Sequence, residues 1–419
     1  MLLLMRSCWS IIYKNKFKTI TAKLIGHHTG YIMLCERIAA MITQILSKSI
    51  DFLLENAGPV IQYRLRKEIL RNLSVDEEEK LLKQIYQLPQ YQLVQSYVKP
   101  NGYIGRGMHS WNKWRGEILH ETPLQDGENA ARLLSCYCIP KEQPIVANFV
   151  KAMRDEEILR KEFSYIPPEI PRFENRFVGL NNGNSLGAMF YTMQSMLGCG
   201  DDYEDLKEFQ QICLKGFQRV LEINALDDIT KFDASAKRKY NFPYIEADEY
   251  FPDVYTLEML SYTQSWHTEE NIKMLADSFN HINAIMKPEN IMHVRIAGKY
   301  YAPCFAFVRP FRAFSPDLID TITYRRILTE IAMLGVGEKV DIIRQSVKAV
   351  HEAIDNDGIL RMNFEVPHNK RYSPKKIEYN CAYNDVRLEA DYKNKNALLC
   401  DLTFWAVEFL HLVDGEDNN

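Results

Sequence analysis

Residues 251–286, FPDVYTLEMLSYTQSWHTEENIKMLADSFNHINAIM, constrain this chain more than any other stretch. They hold a nearly all-apolar helical run, a break at Trp266-His267, and then an amphipathic run. In the second run Ile272, Leu275, Phe279, Ile282 and Met286 share one face. The same spacing recurs in Val340, Ile343, Val347, Val350 and Ile354, and in Leu206, Phe209, Cys213, Gly216 and Val220. One apolar stripe with a charged back marks a helix packed on a single side. A helix apolar nearly all round is buried on both sides, so the two kinds belong to an outer and an inner layer.

Reading the whole chain this way predicts outer helices near 43–55, 76–88, 142–153, 202–222, 268–286 and 337–354. Inner helices are predicted near 59–71, 127–138, 184–197, 253–265, 319–334 and 396–412. Six alternating pairs imply an all-α (α/α)6 toroid, with an open solenoid as the rival. Links from inner to outer helices are short. Most links from outer to inner helices are long: 89–126, 154–183, 223–252, 287–318 and 355–395. Alternating helix direction puts these long links on one face, with the N-termini of the inner helices. Long connections in compact domains usually carry function, so a site is expected over the mouth of the ring on that face.

Composition narrows the function class. The chain has 419 residues, 46% hydrophobic and 25% charged, which are globular values ample for a large core. A net charge of -4 supplies no global attraction for nucleic acid or an anionic membrane. Nine cysteines, odd in number, irregularly spaced and without a CxxC, point to reduced thiols and a cytoplasmic protein. No apolar run reads as a transmembrane segment at the ~18 residues a span needs. Residues 1–40 lack helical periodicity and read as an extension, or as a start placed too early, ahead of a single domain at 41–415. No P-loop, HExxH, GxSxG or EF-hand is present, so no cofactor or metal is expected.

Within the long-link face, Asp126, Glu128, Asn184, Asp253, Asp317 and Asp401 fall at or near inner-helix starts. Capping explains such acids; two facing carboxylates would instead serve as acid and base on a glycoside. Asp126, Asp253 and Asp401 are the candidate catalytic set, expected near one mouth. His109, Trp111, Trp114, Tyr244, Glu246, Tyr250, Arg309 and Arg312 are the candidate ligand-binding set. Their aromatic rings suit stacking on a ligand, and the guanidiniums suit a carboxylate or phosphate. Asp201-Asp202-Tyr203-Glu204-Asp205 matches DDxxD, but it lies in a short turn on the opposite face, where acids opening a helix are ordinary. Cys136 and Cys138, two residues apart on a helix, read as core thiols.

Two loops, Asn101-Gly102-Tyr103-Ile104-Gly105 and Asp355-Asn356-Asp357-Gly358, resemble the DG-x-hydrophobic loop signatures of the α/α-toroid superfamily of squalene/hopene cyclases and protein prenyltransferase β subunits. The resemblance spans roughly 41–415 as a pattern. It implies a toroid with a ligand cleft for an isoprenoid-like or small organic substrate. Class II cyclases carry DxDD at an inner-helix start. Here Asp253-Val254-Tyr255-Thr256 stands at such a place, with a tyrosine at a position where that motif has an acid. The prenyltransferase zinc set has no counterpart on this face. A carbohydrate-active enzyme with paired carboxylates and a non-catalytic binding toroid are the alternatives.

Overall fold

The structure is a computed structural model. It describes residues 44–107, 113–114, 117–118, 124–164, 186–235, 243–246, 249, 251–286, 293–296, 298–301, 312–316, 324–362 and 386–414. Residues 1–40, treated above as an extension, lie outside them. Fourteen helices make up most of it, 64% against 4% strand, so the fold is all-α.

In chain order the helices are α1 (44–56), α2 (Pro59–Arg64, continued by a wider turn over Leu65–Ile69), α3 (Val75–Ile85), α4 (Pro89–Ser96) and α5 (Gly127–Cys136). Then come α6 (Pro144–Met153), α7 (Glu156–Glu162), α8 (Leu186–Gln194, continued over Ser195–Cys199) and α9 (Glu204–Val220). The chain continues with α10 (Val254–Ser261), α11 (Glu269–Ile285), α12 (Tyr324–Met333), α13 (Asp341–Ala353) and α14 (Lys395–Asp414). All twelve predicted helices are present. The two additional ones, α4 and α7, lie inside predicted long links. Pro89 opens α4 at its first turn, and Asp155 caps α7 by accepting from the Glu157 and Ile158 amides.

Strands are few. β1 (Lys113–Trp114) pairs antiparallel with β2 (Glu117–Ile118). β3 (Tyr244–Glu246) runs parallel to β4 (His293–Ile296), which turns back on β5 (Lys299–Tyr301).

The helices apolar on all sides pack on one another. α5 lies on α8, α8 on α10, α10 on α12, α12 on α14, and α14 on α2. The end of α5 returns to α2, where the Cys138 thiol donates to Glu68 Oε1 at 3.4 Å. The amphipathic α9 packs on α10 and on the amphipathic α11. Their stripes are buried as the spacing requires: Leu275, Phe279 and Ile282 on α11, and Leu206, Phe209, Cys213 and Val220 on α9.

The two glycine loops share one geometry. Val98 bridges Ile104, and Ile354 bridges Leu360. In each, the second residue of the turn accepts from the glycine amide and donates to the residue after that glycine: Lys99 with Gly102 and Tyr103, Asp355 with Gly358 and Ile359. Gly102 and Gly358 both have positive φ, 86° and 80°. A Cβ on Gly102 would meet the Asn148 carbonyl oxygen of α6 at 2.7 Å, and one on Gly358 the Ser49 amide nitrogen of α1 at 2.5 Å. Each loop therefore abuts a helix far from it in the fold pattern, α6 for the first and α1 for the second. The second ties the loop after α13 to α1, the first described helix of the chain.

An 18-residue window of the 20-residue α14, the helix predicted near 396–412, has a mean hydropathy of 1.3, so by length and composition this helix is long and apolar enough to cross a membrane, where no run was expected to be. Most of it is buried among α2, α12 and α13, the environment of a core helix.

Candidate active site in the helical interior

The acids named from the sequence have local partners. Asp126 is the N-cap of α5 and accepts from the Asn129 amide at 2.8 Å, while the Asn129 side chain donates to its other oxygen. Asp253 caps α10, accepting from the Thr256 amide at 3.0 Å, and the Thr256 hydroxyl accepts from the Asp253 amide at 2.7 Å. Asp401 lies in the second turn of α14. It accepts from the Leu388 amide at 3.1 Å and from the Tyr392 hydroxyl. Burial pushes the Asp401 carboxyl up to about 6, against those two hydrogen bonds.

Asp401 thereby fastens the segment 386–394 along the end of the helical layer. The Glu389 carboxylate accepts from the Gly58 amide at 2.8 Å, at the α1–α2 turn. The Gln90 amide of α4 donates to the Glu389 and Ala390 carbonyls, and the Tyr137 hydroxyl donates to the Arg387 carbonyl. Burial, with Asp401 and Asp391 nearby, raises Glu389 to about 7.

Of the expected ligand-binding set, Tyr244 and Glu246 sit on β3. The Arg295 guanidinium lies 4.7 Å from the Tyr244 ring centre and donates to the Glu246 carboxylate. Burial would raise Glu246, but Arg295 and Lys231 outweigh it and hold the carboxyl below its ordinary value. Arg312 is exposed, and Trp114 contributes its backbone to the β1–β2 pair. His109, Trp111, Tyr250 and Arg309 lie outside the described residues.

The DDxxD acids are structural. Asp201 accepts from the Gln264 and Ser265 amides at 2.8 and 3.1 Å, Asp202 pairs with Lys141, and Asp205 pairs with Arg154. Cys136 and Cys138 are free thiols, raised by burial to about 11 and about 12. They are protonated and poorly nucleophilic at neutral pH. No group of three or more His, Cys, Asp or Glu side chains suited to a metal ion occurs among the described residues.

A different set of residues forms the polar centre. Arg132 of α5 contacts Glu128 of its own helix at 2.9 Å and Glu258 of α10 at 2.7 Å. Helix α8 packs against both α5 and α10, and the Arg132 and Glu258 side chains join those two helices directly. The Tyr255 hydroxyl of α10 lies 3.4 Å from both oxygens of Glu128. From α12, Arg326 lies 3.5 Å from Glu258 and 3.4 Å from Glu330. Glu128, Arg132, Glu258 and Glu330 are all at most 3% exposed. Burial alone would push Arg132 down, but Glu258 and Glu128 outweigh it and keep the guanidinium charged. Burial, then the neighbouring Glu258 carboxyl, raises Glu330 well above an ordinary glutamate.

Comparison with protein-family models, with curated proteins and with solved structures finds no match to this chain. The candidate site therefore stands on its own geometry.

Glu128 belongs to the acids picked out near helix starts; Arg132, Glu258, Arg326 and Glu330 do not. A signal for them was present. Glu128/Arg132 and Arg326/Glu330 are opposite charges four residues apart, which share a helix face. On a helix otherwise apolar on every side, such a pair has no solvent face to occupy.

Proposed function

We propose that the chain is an (α/α)6 toroid of the cyclase and prenyltransferase-β kind. In this reading the ring interior, at the end where the inner helices begin, is an acid–base site for a small organic, isoprenoid-like ligand. Closure of the ring is supported by the contacts of α14 with α2, of the α5 end with α2, and of the Asp355–Gly358 loop with α1. Placement of the site is supported by the polar side chains themselves. Glu128 and Tyr255 are each the second residue of their helix, and Arg132, Glu258 and Arg326 follow within two turns of a helix start.

The observation that carries the reading is the buried charge cluster. Buried ion pairs are often no more stable than apolar side chains of the same volume, because desolvation offsets the Coulombic gain. Five ionisable side chains from three core helices are thus a poor way to hold helices together. Perturbed carboxyls in such surroundings mark sites of chemistry. Glu330, kept protonated by burial and by Glu258, is the proton donor in this reading. Arg132 and Arg326 both reach Glu258, and Tyr255 and Glu128 form the rim. Asp126 and Asp253 position their helices instead of touching ligand.

The capping roles of Asp126 and Asp253 also favour the second reading, a binding toroid without turnover. Thermal unfolding in the presence of farnesol, farnesyl diphosphate or cellotetraose tests the ligand site. A ligand at about 100 times its dissociation constant adds about 2.7 kcal/mol. The expected result is a raised Tm with an isoprenoid that disappears in Glu128→Gln. A response to cellotetraose alone would favour the carbohydrate alternative, and no response to any of the three would sink the ligand site.

A further inference from the structure

Helix α5 ends in a chain-reversing turn. The Ile139 amide donates to the Leu134 carbonyl at 3.0 Å, and the Cys138 amide to the Ser135 carbonyl at 2.8 Å. In this kind of helix end the residue in the place of Cys138 is left-handed, a conformation that glycine adopts at little cost and other residues do not. Cys138 has φ 52°. At the ends of α8 and α12 the left-handed residue is Gly198 or Gly335, with φ 82° and 70°; after α2 it is Arg71, at 49°. A cysteine held in strain where glycine would serve points to a use for its thiol.

The same turn sets the direction of two thiols. On a continuous helix, residues two apart do not face each other. Cys136 closes α5, but Tyr137 leaves the helix at φ -84° and ψ 0°, and Cys138 then reverses the chain. Both thiols come to lie beside Arg64 of α2, and that of Cys138 donates to Glu68 Oε1 at 3.4 Å. Across such a bend Cα atoms two residues apart are about 5.5 Å from each other, inside the roughly 4.4–6.8 Å that a disulfide spans. Both cysteines are half-buried, and the Glu68 side chain beside them is 38% exposed, so the pair lies at the edge of solvent.

We infer that Cys136 and Cys138 form a reversible dithiol–disulfide pair, oxidised by exchange with a low-molecular-weight disulfide such as glutathione disulfide. One cysteine thiolate attacks a sulfur of glutathione disulfide and expels a glutathione thiolate; the second attacks the mixed disulfide and expels the other. The S–S bond of glutathione disulfide breaks and one forms between Cys136 and Cys138. Two electrons pass to the glutathione sulfurs, and the two cysteine protons end on them. Oxidation removes the S–H that Glu68 accepts, so this tie between the end of α5 and α2 exists only in the reduced chain. Burial raises both thiols, against Arg64, to about 11 and about 12. Such thiols attack slowly, and they also leave their disulfide slowly, so exchange is slow and its product persists. The charged groups around the pair are Arg64, Lys67 and Glu68 of α2, Glu408 of α14, Arg132 of α5 and Arg326 of α12.

Mass spectrometry after exchange tests the pair. Trypsin cleavage after Arg132 and Lys141 gives a peptide, 133–141, whose cysteines are these two alone. The folded full chain is incubated with glutathione disulfide at pH 7, 8 and 9, acid-quenched, alkylated and digested. The expected product is that peptide lighter by two hydrogen atoms, formed about tenfold faster per pH unit and reversed by dithiothreitol. In Cys136→Ser or Cys138→Ser the internal bond cannot form, and at least one of the two variants should accumulate glutathione on its remaining thiol. A wild-type peptide that stays reduced, that carries glutathione without losing two hydrogens, or that is oxidised only in urea would overturn the pair. Loss of two hydrogens in the wild type with no glutathione on either variant would overturn the exchange route.

Discussion

Arg132 and Glu258 meet at 2.7 Å and join α5 to α10, two helices that both also pack on α8. The pair is buried, and each member is the principal charge partner of the other. Removing one member should therefore cost far more than removing both. Arg132→Ala takes away the 2.9 Å contact with Glu128 and the 2.7 Å contact with Glu258 and is expected to lower stability by about 3–5 kcal/mol. Replacing Arg132 and Glu258 together by methionine should be near neutral or stabilising. Urea denaturation of the two singles and the double measures the difference. Equal losses in single and double variants would contradict a mutually compensated pair.

Glu330 gives a pH dependence of defined sign. Its folded-state pKa lies above the unfolded value, so the native chain holds the proton more tightly than the unfolded one. That contribution is complete below the ordinary glutamate range and is lost as pH rises toward the folded value. Glu330→Gln cannot ionise, so the stability difference from the wild type should be constant below about pH 4 and shift in favour of the variant as pH rises to 8.5. Tm against pH for both proteins provides the comparison, and parallel curves would contradict it.

Asp401 and Glu389 act in the same direction in a narrower window. With folded values of about 6 and about 7, their contributions are present at pH 4 and fall away as pH rises through 7. Asp401→Asn keeps an acceptor for the Leu388 amide and removes the charge. The protection factor of the Leu388 amide, its exchange rate corrected for the intrinsic pH dependence, should fall with pH in the wild type and stay constant in the variant. The same fall in both would show that Asp401 ionisation does not control the segment.

Asp126→Ala and Asp253→Ala remove N-caps and should each lower stability by about 0.5–2 kcal/mol. In the reading proposed here neither should alter ligand binding at a temperature where the protein remains folded. Loss of binding with unchanged stability would return these acids to the site.

Gly102 and Gly358 should tolerate alanine equally poorly. Both have positive φ, and both press on backbone atoms of another helix, α6 or α1. Alanine at either position meets strain and overlap together, so a loss of more than about 1 kcal/mol is expected, read from denaturation midpoints. A neutral effect at one position would break the equivalence of the two loops.

The helices were legible because burial repeats along a helix with a fixed period, and that period survives in the residue order. Ile272, Leu275, Phe279 and Ile282 announce one buried face whatever they pack against. The helix α4 was missed because PQYQLVQS carries too little periodicity to stand out, and Pro89 read as a stop instead of a first turn. Asp126 and Asp253 were correctly placed at helix starts. Local order can place an acid there, but it does not say whether the carboxylate turns to its own backbone or to a ligand.

By itself the sequence determined an all-α chain of alternating fully and singly buried helices, joined by short and long links in turn, because those are properties of neighbours along the chain. Tertiary structure alone decided that Arg132 meets Glu258, that Glu330 is buried beside Glu258, and that the loop after α13 meets α1. These contacts join residues far apart in sequence. Their energies depend on distance and desolvation, which no local pattern of residues encodes.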